Sequence, residues 1–493
     1  MREDWVEIPY KNVVDKISTS KQKLKQKEYL TSGKVPIVDQ GQELIGGYTN
    51  DESKVLDCKL PIIVFGDHTK IVKVINFPFA PGADGTKVLQ PKQLLDPKLL
   101  AFFTKILVFK IKDKGYARHY QHIEKIDLPI PPFPEQRAIV AKIEQLFSDL
   151  DNGIASLKTA QDQLKIYRQA VLKKAFEGEL TKEWRALRQA QGTLPSADEL
   201  LGKIKEERAV HYKKQMDEWE LAVKEWEENW KEGKKPGKPK KMKELSPLTE
   251  DELDKLPLLP LPWKWVKSGE LFEYVTSGSR GWAKYYSDSG AVFLRITNLN
   301  FDTLELDLSD GKIQYVQLPP NLEGLRTRIK KGDFLFSITG YLGMFAISPD
   351  IEEAYVNQHI SLARPYQLNN RAFLGYWIIS KSGGRYYLNS KSKGAIKAGL
   401  GLDDIISFPI PICSLEEQNQ IVQEIESRLS VCDKVEETIK DSLTKAEALR
   451  QSILKKAFEG RLLSDAELDA CRKEEDWEPA EVLLERIKRE KSK

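Results

Sequence analysis

The residues of this chain that could do chemistry lie in short loops between apolar runs. Within residues 1–127, Gly66-Asp67-His68-Thr69-Lys70 separates two β-rich stretches, and Lys114-Gly115-Tyr116-Ala117-Arg118-His119-Tyr120-Gln121-His122 interleaves basic, aromatic and amide side chains with a glycine. Within residues 263–407 the loops hold Thr276-Ser277-Gly278-Ser279-Arg280, Thr297-Asn298, Ser337 with Thr339-Gly340-Tyr341-Leu342-Gly343, Gln358-His359, and Ser392-Lys393-Gly394-Ala395-Ile396-Lys397. Such residues beside glycines suit the reading of base edges: amides and guanidinia can make paired hydrogen bonds to purines, and glycine lets the backbone approach a phosphate. The candidate DNA contacts are Asp67, His68, Thr69, Lys70, Tyr116, Arg118 and His119 in the first region. In the second they are Ser277, Ser279, Arg280, Asn298, Ser337, Thr339, Tyr341, Gln358, His359, Lys393 and Lys397. Taken singly, each is better explained as ordinary loop structure; the argument rests on the sets.

Other chemistries fit less well. His68, His119 and His122 lack a Cys or carboxylate at metal-ligand spacing, so they read as polar loop residues. Gly82-Ala83-Asp84-Gly85-Thr86-Lys87 echoes a nucleotide loop but misses its spacing, and reads as a turn. The amino-methyltransferase pattern [DNS]PP[YF] is missing: Ile130 precedes Pro131-Pro132-Phe133, and the other pair runs Pro319-Pro320-Asn321. With no Walker A motif and no clear PD-(D/E)xK cluster, we expect no catalytic residue, metal or cofactor in this chain.

Two similar segments must position these loops. Pro129–Leu180 and Pro409–Leu462 share the endings LKKAFEG, and Glu135-Gln136 recurs as Glu417-Gln418 with the same offset of 282 residues. A heptad seam runs Ile143, Phe147, Leu150, Ile154, Leu157, Gln161, Leu164, Arg168, Val171, Ala175 in the first copy. In the second it runs Ile425, Leu429, Cys432, Glu436, Ile439, Leu443, Ala446, Arg450, Ile453, Ala457. This spacing predicts coiled-coil helices, with a capping box at Ser414 and Glu417, Pro134 in a first turn, and Gly178 and Gly460 at the ends.

The runs Lys59–Gly66, Lys70–Phe77, Ala291–Leu299, Asp333–Gly340 and Gly343–Pro349 read as strands. Gln93–Leu107 and Phe373–Ser380 read as helices. Residues 181–262 are a charged helical extension with a Lys/Pro-rich linker; Trp219, Trp226 and Trp230 are expected on one packed helical face. Because Ala197–Glu207 resembles Ala480–Glu490, the chain reads as two repeats. The expected fold is α+β: two globular α/β domains (1–127 and 263–407) joined by two long antiparallel coiled-coil helices (128–180 and 408–462), with a charged tail at 463–493.

The 493 residues suit about three domains by length. Lys and Arg number 77 against 74 Asp and Glu, so an anionic partner must be met by local patches. The four cysteines are scattered without CxxC spacing and read as reduced thiols. No signal peptide opens the chain and no run approaches the ~18 apolar residues of a membrane helix, so a cytoplasmic location is expected.

These features together resemble the specificity subunit of type I restriction-modification enzymes. The resemblance rests on two domains that each lead through PIP and EQ into a long helix ending LKKAFEG, on GDHTK, on LPWKWVKSGELFEYVTSG and GDFLFSITGYLG, and on ELTKEW at Glu179–Trp184. It covers nearly the whole chain. It implies target-recognition domains that each read half of a split double-stranded DNA site, with the helix pair as spacer. It also implies two methyltransferase subunits and two motor-nuclease subunits as partners, which would carry S-adenosylmethionine, ATP and Mg2+. The extended segment 186–261 departs from the simplest family pattern, leaving open a related split-site system with fused methylase and nuclease. A protein-only coiled-coil adaptor is the alternative from another class.

Overall fold

The computed structural model describes all residues except 1, 3, 83, 93–94, 112–117, 231–232, 234, 240–243, 320–325, 392–398 and 491–493, with backbone alone for 487, 488 and 490. It divides into two units, residues 1–160 with 438–493 and residues 161–437. Each unit holds one sheet-rich domain and part of both long helices.

The first unit contains β1 (Val6–Pro9), β2 (Val14–Ile17), β3 (Val35–Val38), β4 (Gly47–Thr49), β5 (Ile62–Gly66), β6 (Val72–Ile75), β7 (Ala80–Pro81), β8 (Thr86–Pro91) and β9 (Asp127–Ile130). Its main sheet is antiparallel in the order β2-β8-β5-β6, a smaller sheet runs β4-β3-β7 with β3 parallel to β7, and β1 pairs with β9. β5 is buried along its whole length, which explains its unbroken apolar run. The helix Pro97–Lys110 is capped by Asp96, which accepts from the amides of Lys98 and Leu99. Its Leu99, Phe103 and Leu107 pack with Ile63 and Phe65, and the same core takes Ile139 and Ile143 from one long helix and Ile453 and Ala457 from the other.

The second unit repeats this plan. Its strands are β10 (Lys264–Lys267), β11 (Phe272–Ser277), β12 (Tyr286–Ser287), β13 (Ala291–Leu294), β14 (Gln314–Val316), β15 (Phe334–Ser337), β16 (Phe345–Ile347), β17 (Ala354–Val356), β18 (Ile360–Pro365) and β19 (Pro409–Ile412). The main sheet is β11-β18-β15-β16, the smaller is β12-β14-β13-β17 with β13 parallel to β17, and β10 pairs with β19. Phe272, Phe334, Phe336 and Phe345 pack edge to face in a core shared with Val171, Ala175, Ile421 and Ile425 of the long helices. The expected strand Ala291–Leu299 stops at Leu294, because Ile296–Asn298 turns into a short 3-10 helix.

The long helices, Phe133–Phe176 and Leu415–Phe458, have 44 residues each, or about 65 Å of axis. Every seam position from Ile143 to Ala175 and from Ile425 to Ala457 is buried or half-buried. Arg450 pairs with Asp151 in the first unit, and Arg168 pairs with Asp433 at 2.6 Å and Glu436 at 2.9 Å in the second. Arg450 and Asp433 are Arg168 and Asp151 displaced by the repeat offset, so each unit holds an antiparallel helix pair in the same register.

Gly178 and Gly460 end the helices with φ of +75° and +71°, a backbone region where glycine carries no Cβ penalty. Only half of the expected capping box forms. The Glu417 amide donates to Ser414 Oγ at 3.2 Å, but the Glu417 side chain turns to buried partners instead. The extension forms helices Lys182–Ala190 and Ala197–Glu228. Trp219 and Trp226 donate to the carbonyls of Pro236 and Gly233, with Lys238 and Lys235 over their rings, so the linker returns along the helix. Trp230 does not share that face: it lies past the helix end with φ of +53° and is 93% exposed. Among the described residues, no helix is long and apolar enough to cross a membrane.

Candidate nucleic-acid interface

Strand register decides which loops meet. In the first domain Ile17 faces Val88, Gly66 faces Thr86 and Phe65 faces Val72, so the loops after β2, between β5 and β6, and before β8 leave one end of the sheet. In the second, Ser277 faces Ser361, Ser337 faces Ile360 and Phe336 faces Phe345, gathering the loops after β11, between β15 and β16, and before β18. The two sets correspond strand for strand.

At the first end, Asp67 is buried. Its Oδ1 accepts from the Tyr120 amide at 2.8 Å, and its carbonyl accepts from the His119 amide and from His119 Nδ1 at 3.0 and 2.9 Å. Asp67 and His119, two of the expected base contacts, are therefore internal groups that fasten the β5–β6 loop to the segment around Tyr120. Burial pushes the Tyr120 hydroxyl up to about 12. The His68 amide donates to Gln40 Oε1 at 3.3 Å, and Thr69 Oγ1 donates to the Gln40 carbonyl at 2.7 Å. Lys70 turns the chain with φ of +63°. His68 and Lys70 stay half-buried, and Thr69 and Arg118 are exposed. Tyr116 lies outside the described residues.

At the second end, Asn298 and Ser337 are likewise internal. Asn298 Nδ2 donates to the carbonyls of Asp307 and Lys312, its Oδ1 accepts from the Arg295 amide at 2.8 Å, and the residue is fully buried. Ser337 Oγ donates to the Tyr341 carbonyl at 2.6 Å and accepts from the Met344 amide at 3.0 Å, stapling the β15–β16 turn. These two shape loops instead of facing a ligand. Thr339, Gln358 and His359 do meet. Gln358 Nε2 donates to His359 Nε2 at 2.8 Å, which leaves the ring proton on Nδ1 to be donated to Thr339 Oγ1 at 2.6 Å. The imidazole thereby fixes the amide, and one Gln358 N–H and its carbonyl oxygen make no hydrogen bond among the described residues. Beside them, Gly278 lies so close to Asn357 that a Cβ would stand 2.1 Å from its carbonyl oxygen. Ser277 and Ser279 are half-buried, Arg280 is exposed and Tyr341 is 73% exposed. Lys393 and Lys397 lie outside the described residues.

The sequence reading passed over Gln40, Arg326 and Asn357. Gln40 sits in the Gly-rich stretch after β3, the kind of loop signal used elsewhere. Arg326 reaches Thr276 Oγ1 and lies 3.5 Å from Ser279 Oγ, a fold contact that spacing does not announce.

Behind the loops, the two EQ pairs anchor the helices differently. Glu417 accepts from Trp263 Nε1 at 2.8 Å, Thr181 Oγ1 at 2.7 Å and Arg185 Nη1 at 2.6 Å, and Arg185 also binds the carbonyl of Gly178. Glu135 accepts from Trp5 Nε1 at 2.9 Å, but its Oε1 is buried with no partner among the described residues. Burial pushes the Glu135 carboxyl above the usual range.

With this geometry in view, comparison with known proteins gives a consistent class. The family described as Type I restriction modification DNA specificity domain matches residues 2–159 and 260–445. The chain belongs to this family, the DNA specificity domains of type I restriction-modification. It is 24% identical over 366 residues to the Type I restriction enzyme EcoBI specificity subunit of Escherichia coli, covering 74% of this chain but 64% of that protein. It is 22% identical over 418 residues to the EcoDI specificity subunit of Escherichia coli, covering 83% and 79%. A solved structure described as "Structural basis underlying complex assembly and conformational transition of the type I R-M system" shares the fold with a TM-score of 0.58 at 16% identity, over 94% of this chain and 99% of its own.

Proposed function

We propose that this chain reads a bipartite, asymmetric site on double-stranded DNA in the cytoplasm, one domain to each half, with the long helices as spacer. It contributes recognition and no catalysis. Two methyltransferase subunits, holding S-adenosylmethionine, modify an adenine, and two motor-nuclease subunits, using ATP and Mg2+, restrict. The observation that carries this reading is that the same sheet end occurs twice with different polar side chains: one frame, two readers. Helix length sets the unread spacing, as in dimeric readers.

The test is adenine methylation mapped across the genome of cells expressing the chain with its neighbouring methyltransferase. One asymmetric split motif should appear and vanish when the chain is deleted. Exchanging residues 1–130, which keeps β1 with its partner β9, should change one half alone. A methylation pattern indifferent to the chain would overturn the reading in favour of a protein-only adaptor.

A further inference from the structure

The turn between β17 and β18 is pinned from three neighbouring segments. Within it Asn357 accepts twice: its carbonyl takes the Ile360 amide at 3.2 Å, and its Oδ1 takes the His359 amide at 3.0 Å. This Asx turn leaves Gln358 and His359 as its two central residues. From outside, the Asn357 amide donates to the Leu294 carbonyl at 3.1 Å, the Ile338 amide donates to the His359 carbonyl at 3.0 Å, and the Gly278 amide donates to the Ile360 carbonyl at 3.3 Å. The backbone at the corner therefore has one conformation.

Its side chains are fixed as well. His359 Nδ1–H donates to Thr339 Oγ1, which settles the tautomer and leaves Nε2 bare. A bare Nε2 is what a Gln358 N–H requires as acceptor, and the two nitrogens stand 2.8 Å apart. Holding a half-buried glutamine in one rotamer loses side-chain entropy. Because the amide makes no other hydrogen bond among the described residues, that restraint serves the group it presents and not the core.

The presented group selects the ligand. With His359 on the N–H anti to the carbonyl, the amide shows one donor and one acceptor side by side. A phosphate offers acceptors alone. In the major groove guanine offers two acceptors, cytosine a donor and thymine an acceptor; adenine sets a donor, its N6–H, beside an acceptor, N7.

We propose that Gln358 reads an adenine in the half-site of the second domain, Oε1 accepting from N6–H and Nε2 donating to N7, with His359 and Thr339 as positioning residues that hold the amide. This rests on the proposed function. The adenine read is not the one modified, because a base flipped out for methylation leaves its place in the groove. The device belongs to one half-site. By the strand registers Thr86 corresponds to Ile360, so Asp84 and Gly85 stand in the first domain where Gln358 and His359 stand in the second.

The experiment measures binding of the assembled methyltransferase complex to duplexes carrying the mapped motif, with analogues placed at each adenine of the second half other than the modified one. At one such position 7-deazaadenine, which lacks the N7 acceptor, and purine, which lacks the N6 amine, should each weaken the wild type about fivefold. Gln358→Ala should bind the natural duplex roughly ten- to hundredfold more weakly and be indifferent to both analogues. Adding His359→Ala to Gln358→Ala should change discrimination at that pair no further, since His359 acts there through Gln358. A further loss at that pair overturns the positioning role. Analogues without effect at every such adenine overturn the proposal on the wild-type complex itself, as does a second half with no A·T pair besides the modified one. Analogue sensitivity that survives Gln358→Ala assigns the adenine to another side chain and also overturns it. A wild-type complex that binds all duplexes alike would instead defeat the proposed function, so the two failures are distinguishable.

Discussion

At the loop end of the first domain the charged side chains are ammonium groups, those of Lys16, Lys23 and Lys87. At the corresponding end of the second an amide is held by an imidazole and a hydroxyl: Gln358, His359 and Thr339. The strand ladders beneath are equivalent, so the difference lies in side chains at and beyond the last paired residues, where the sheet imposes no packing requirement. Under the proposed function, the ammonium groups of the first end would meet phosphate and give salt-dependent affinity, and the held amide of the second would read a base edge. The anchors diverge too. Glu417 is satisfied by Arg185, Thr181 and Trp263, whereas Glu135 has Trp5 and one oxygen without a partner among the described residues.

The anchors give the largest expected effect. Glu417→Gln keeps an acceptor for Trp263 but leaves the buried Arg185 guanidinium without its counter-charge. Breaking a buried pair from one side costs about 3–5 kcal/mol. Urea unfolding of the full chain should show a loss of that order, while Glu135→Gln, which strands no cation in a buried pair, should show none. Equal losses from both substitutions would erase the distinction between the anchors.

A smaller effect is expected at the second loop end. His359→Ala removes the partner that orients both Gln358 and Thr339, so discrimination at one base pair of the second half-site should fall by about 1–3 kcal/mol, the worth of one paired base contact. Competition binding with single-base variants should show a preference relaxed roughly ten- to hundredfold at that position, with the first half read as before. Relaxation in the first half would mean that the two ends do not read independently.

Much of the frame was legible in the sequence. The seam residues are the ones the helices bury, because a helix repeats its faces with a fixed period and a constant offset preserves that phase. The glycine stops and the strands at Ile62 and Phe334 followed from equally local signals. Loops carry no period. Asp67, Asn298 and Ser337 therefore looked like Thr69 and Gln358, although the first three turn inward to bond backbone. Arg185 escaped notice because its carboxylate partner lies 232 residues away. Lys16 and Lys87 come together only through the register of β2 on β8, which neither strand specifies alone.

The smallest expected effect has a definite pH signature. Burial holds the Glu135 carboxyl above the range it would have in the unfolded chain. An acid whose folded value is raised binds more protons in the folded state, so rising pH erodes stability between the unfolded and folded values and leaves a constant penalty above them. Below the unfolded value both states are protonated and the penalty is absent. Glu135→Gln keeps the acceptor for Trp5 Nε1 and cannot ionise. It should match the wild type in acid and then melt slightly higher as the pH passes upward through the carboxylate range, with the gain level by neutral pH. Melting curves from pH 4 to 8 check this directly. A variant that melts lower at neutral pH would show that the Glu135 carboxylate is stabilised by neighbouring cations such as Arg2 and Arg472 after all, and the two anchors would then be alike.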